Sequence, residues 1–181
     1  PAQAKGFTCV EDSRVPSPKY ALMGDSKAEA LIGGLIKTSD ERGHWLFIGA
    51  GTTGKPVPVI SDHPLYQAFQ QATKQAVQAI AENKSIEKVV LVAATRILFN
   101  LASDSDIEDL AESKHYAVAL AGMQAVISEF KAAKKKIVLV SDNPTLPHPE
   151  DCVQRITQSA WLNTILHRTS NLRCHLSIDR H

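Results

Sequence analysis

Gly24-Asp25-Ser26 ends a short apolar run, Tyr20-Ala21-Leu22-Met23, and a helical pattern follows at once. A serine at a sharp strand-to-helix turn has a nucleophile's placement. Its hydroxyl stands at the sheet edge and its amide lies at the positive end of a helix. Acyl transfer needs both an exposed nucleophile and donors for a developing oxyanion. The same tripeptide also suits an ordinary helix cap, because Asp25 or Ser26 can accept from amides of the first turn. Gly24, lacking a side chain, can follow the tight backbone of such a turn.

The elements around the turn favour the nucleophile. Ala28, Leu31, Ile32, Leu35 and Ile36 fall on one face of an amphipathic helix over 26–37. Gly33 and Gly34 within it point to close packing on a sheet. Further along, Trp45–Ile48 reads as a strand that runs into the glycine-rich loop Gly49–Gly54. Tyr66, Phe69, Thr73, Ala76, Val77 and Ile80 make a helical stripe, and Lys88–Ala93 a continuous apolar strand suited to a parallel sheet covered on both faces. Tyr116, Leu120, Met123, Ile127 and Phe130 mark a long helix, Ile137–Val140 a fourth strand, and about 153–170 a last helix. Alternating strands and helices predict an α/β fold, a three-layer flavodoxin-like sandwich around a parallel sheet. Ligands in such sheets bind beyond the carboxyl ends of the strands. Four loops meet that condition: Gly24-Asp25-Ser26, Gly49–Gly54, Ala94-Thr95-Arg96 and Ser141-Asp142-Asn143-Pro144. Residues 1–18 read as an extended lead-in and 19–181 as one domain.

Bulk properties narrow the function. The 181 residues are 44% hydrophobic with a net charge of +1, enough for a core and too neutral for a general nucleic-acid surface. Lys134-Lys135-Lys136 reads as cations at the negative end of a helix dipole. No apolar run approaches the roughly 20 residues of a spanning helix. No signal peptide stands at the start, so an export signal is expected to be removed or to lie upstream. Cys9, Cys152 and Cys174 fit no zinc spacing, and no metal or cofactor is expected. In an exported domain Cys152 and Cys174 could form a disulfide. His44, His63, His115, His148 and His167 read as surface or boundary residues, with His148 nearest to the expected catalytic edge.

Taken together, Tyr20–Ser26, the strand Val89–Ala94 ending in Thr95-Arg96, and Val140–Pro144 running on to Pro149-Glu150-Asp151-Cys152 resemble an SGNH (GDSL-type) hydrolase or acyltransferase domain. More narrowly they resemble the exported SGNH domain fused to membrane acyltransferase-3 proteins, which O-acetylate bacterial surface polysaccharides. The resemblance implies Ser26 as the acyl-carrying nucleophile. It implies an oxyanion hole from the Ser26 amide and a glycine amide of the second loop, Gly51 before Gly49. The family's Asn after the third strand is replaced here by Thr95-Arg96; Arg96 could donate in its place or serve as a structural ion-pair partner. The family's Asp-x-x-His near the C-terminus is also missing. Asp179 and His181 are two apart rather than three, and the resemblance places the true pair beyond His181, leaving the domain incomplete at its C-terminus. It further implies a periplasmic or extracytoplasmic location, a donor supplied by the fused inner-membrane domain, and a polysaccharide acceptor. The alternatives are a plain SGNH esterase and a catalytically incomplete binding module. A nucleotide-binding loop is disfavoured, since Lys55 is followed by Pro56 rather than by Ser or Thr.

Overall fold

Why the turn at Ser26 forms is answered by the sheet it leaves. The computed structural model describes residues 8–11, 17–38, 45–49, 56–99, 101 and 110–142. The strands are β1 (Thr8–Glu11), β2 (Tyr20–Gly24), β3 (Trp45–Gly49), β4 (Lys88–Val92) and β5 (Lys136–Val140), in the order β1-β3-β2-β4-β5. The helices are α1 (Ser26–Thr38), α2 (Gln67–Glu82), α3 (Thr95–Phe99) and α4 (Tyr116–Ala132). β2 through β5 pair in parallel, and β1 pairs antiparallel to β3. β1 lies inside the stretch expected to be an extended lead-in. An edge strand paired on one side needs little hydrophobic periodicity, so the sequence did not signal it.

From β2 onward the four parallel strands follow the doubly wound flavodoxin-type order. Alternate residues of the central strands face opposite layers, as the period of two demands. Ala21, Met23, Val89 and Leu91 pack against Ala76, Val77 and Ile80 of α2 and Val126 and Phe130 of α4. Leu22, Phe47, Val90 and Val92 pack on the other face with Ala28, and Ile32, Leu35 and Ile36 of α1 lie against them. The three-layer α/β sandwich expected from the sequence is therefore present.

Local departures have identifiable causes. Leu31, expected on the buried face of α1, is 38% exposed, and Gly33 and Gly34 are exposed with nothing near them rather than packed on the sheet. α1 touches the sheet on a narrower stripe than its apolar residues cover. On α4 the buried stripe is Ala119, Gly122, Val126 and Phe130, while Leu120 is 42% exposed. Small residues win this face because the 57–60 segment comes close. A Cβ on Gly122 would stand 2.3 Å from Val59 Cγ1, and Ile60 N–H donates to Gly122 O at 3.0 Å. Thr95-Arg96, expected in a loop, opens the short helix α3.

The lysine run ends α4 and reaches beyond it. Lys135 N–H donates to Phe130 O (2.8 Å) and Lys134 N–H to Lys131 O (2.9 Å), the paired bonds of a Schellman end. Lys134 takes the left-handed position at φ 59°. Lys135 is buried, and its Nζ donates to Asn83 O (2.6 Å) and Ile86 O (2.8 Å), just past the C-terminus of α2. The run therefore serves two helix ends.

Candidate active site

The carboxyl ends of β2, β4 and β5 meet at one edge of the sheet, and two aspartates tie them together. Gly24 closes β2 because nothing larger fits: a Cβ there would lie 1.7 Å from Val92 O of β4. Its role is close approach between neighbouring strands rather than an unusual backbone angle. Asp25 follows, 3% exposed. Its Oδ1 accepts from Lys27 N–H (2.9 Å), capping α1, and its Oδ2 accepts from Ala94 N–H (2.9 Å) at the end of β4. One carboxylate thus fixes the turn to its own helix and to the next strand. The contact lies across β2 and β4, where the strand order reverses and a doubly wound sheet opens its crevice.

Ser26 is the first residue of α1 and is exposed. No hydrogen bond engages its hydroxyl among the described residues. The helix N-terminus behind it supplies unpaired N–H groups and a positive dipole end, which favour a developing anion.

Asp142 makes the second tie. Its Oδ2 accepts from Thr95 N–H (3.1 Å) and its Oδ1 pairs with Lys27 Nζ at 2.8 Å. The hydrogen bond and charge of Asp142 raise the pKa of the Lys27 ammonium, with Asp25 adding a smaller push and desolvation opposing. Asp142 lies in one of the four loops expected at this edge, although no role was expected of its side chain, and Lys27 was not expected to take part. The signal available was a carboxylate at the same edge of neighbouring parallel strands, which becomes legible only with the strand order in hand.

The Ala94 and Thr95 amides are thereby engaged. The guanidinium of this loop is that of Arg96, half-buried in α3. Three of the four expected loops are brought together. Of the fourth, Gly49 ends β3, while Gly51 lies outside the described residues. Cys152, Cys174, His148, Asp179, His181 and the helix expected over 153–170 also lie outside them. Cys9 falls in β1, and His44 and His167 are not described. His63 and His115 stack edge to face on each other, centroids 5.5 Å apart, and His63 Nδ1 accepts from Leu65 N–H. Neither bonds to Ser26. Among the described residues no group of three or more His, Cys, Asp or Glu side chains could hold a metal ion.

The model of a family described as an SGNH domain (fused to AT3 domains) matches residues 3–180. No curated protein and no solved structure gives a match.

Proposed function

The chain belongs to the family of SGNH domains fused to AT3 domains, and we propose that it carries an acetyl group on Ser26 and passes it to a sugar hydroxyl of a surface polysaccharide. Membership makes it a domain of hydrolase or acyltransferase type, associated with a membrane acyltransferase. The observation that carries the finer reading is Ser26 itself. It is exposed at the head of α1, its hydroxyl makes no hydrogen bond among the described residues, and two buried or half-buried carboxylates hold its surroundings in place.

In the first half-reaction Ser26 Oγ attacks the acetyl carbonyl. A histidine takes the hydroxyl proton and returns it to the leaving group. The Ser26 amide, a second-loop amide such as Gly51 and the Arg96 guanidinium are the oxyanion donors in this reading. In the second half-reaction the sugar hydroxyl gives its proton to the same base and attacks the acyl-serine. The bond from the acetyl carbon to Ser26 Oγ breaks, and the base returns the proton to Oγ. Transfer exceeds hydrolysis only where the sugar is held against the ester and water is kept away.

Acetyl loading from a chromogenic ester tests the reading in the protein together with the AT3 domain to which its family is fused. Mass spectrometry is expected to find one acetyl group on Ser26, and Ser26→Ala to lose it. Equal turnover by the parent and Ser26→Ala would overturn the assignment. The exposure of Ser26 favours a second reading, an SGNH esterase that releases acetate to water. An oligosaccharide acceptor separates them: it diverts acetyl in the first case and leaves acetate release unchanged in the second.

A further inference from the structure

The opposite end of the sheet carries a different surface. The amino ends of β4 and β5 and the C-termini of α2 and α4 meet there around a cavity of about 420 Å³. Lys84, Lys134, Lys135 and Lys136 line it, with Glu87 as the acid. Lys135 is buried, with its ammonium turned to backbone carbonyls. Lys84, Lys134 and Lys136 are exposed, so three ammoniums ring the mouth. Glu87 does not balance them, because its carboxylate lies 3.6 Å from Lys19. Helix C-termini are negative, which accounts for one or two cations here but not for three more at the rim of a cavity.

A five-residue strand spans about 17 Å, so this cavity is no part of the Ser26 site. Its position suits a support surface instead. The family joins this domain to AT3 domains, which places a membrane within reach. We propose that this end docks on anionic phospholipid headgroups of that membrane, with one glycerophosphate head in the lysine-lined cavity. Docking there turns the Ser26 edge away from the lipid. The inference goes beyond the acyl-transfer reading and rests on none of its chemistry.

Vesicle sedimentation of the 181-residue chain tests it. Binding is expected to phosphatidylcholine vesicles containing about one third phosphatidylglycerol, absent with phosphatidylcholine alone, and weakened by salt. Each lysine near an anionic surface contributes about fivefold in partitioning, so Lys84→Gln/Lys134→Gln/Lys136→Gln is expected to lose about 100-fold. Lys84→Gln alone, in a loop, is expected to lose about fivefold and keeps the test open if the triple variant folds poorly. Lys114→Gln, near the other edge, is expected to bind like the parent. Equal binding by the lysine variants, or equal binding to neutral vesicles, overturns the proposal. So does tighter binding of inorganic phosphate than of phosphatidylglycerol vesicles, read by calorimetry, which would make a free phosphate the ligand. Ser26→Ala is expected to bind vesicles unchanged, so docking and acyl transfer fail separately.

Discussion

Asp25 shows how much one side chain decides. Its two oxygens satisfy two backbone donors that no other group supplies, one in α1 and one after β4. Asp25→Asn keeps one acceptor and turns an NH2 toward the other amide. The expected loss is about 1–3 kcal/mol of stability, read by chemical denaturation, because a buried donor is left unpaired. Gly24→Ala is expected to cost more, above about 3 kcal/mol, since the obstacle is the Val92 carbonyl of a neighbouring strand, which a small rotamer change cannot clear. Ser26→Ala, by contrast, is expected to leave the melting temperature within about 1 °C of the parent, because its hydroxyl holds nothing among the described residues. The capping role of Asp25 was legible from its place before a helix. Its grip on Ala94 was not, because the partner lies 69 residues away and is chosen by strand order.

At the scale of elements, the apolar runs announced themselves and their exposure did not. β5 is as apolar as β4, yet Val138, Leu139 and Val140 are 40%, 52% and 37% exposed, since β5 pairs with β4 alone in the described sheet. Hydrophobicity gives the strand; neighbours give the burial. α1 offers the reverse case, with glycines at solvent positions that need no glycine. Gly33→Ala and Gly34→Ala are each expected to stabilise by up to about 1 kcal/mol, measured as a shift in denaturation midpoint. At the end of α4, Lys134→Gly removes a side chain from a left-handed position. It is expected to gain about 1 kcal/mol by the same measurement.

At the scale of the whole molecule, three groups among the described residues shape the alkaline limb of stability. Burial raises the Tyr66 pKa above 10.0, and Asp142 raises that of Lys27 above 10.5. Both protonated forms are favoured by folding, so their contribution is complete below the unfolded values and is lost as pH climbs through the folded ones. Lys135 runs the other way, its pKa lowered by burial, so it costs stability until it deprotonates. The melting temperature is expected to fall beyond about pH 10, and Tyr66→Phe to flatten that fall. The sandwich itself was legible, because strand and helix periods alternate cleanly. The antiparallel β1 and the basic cavity were not, since each depends on which segments become neighbours. The strand that presents Ser26 sits in the middle of the sheet, between β3 and β4. On a growing chain, then, the serine emerges long before Ala94, the residue that anchors its turn. A nascent chain shorter than that holds the serine without its scaffold, so the turn gains its anchor with β4 rather than with Ser26.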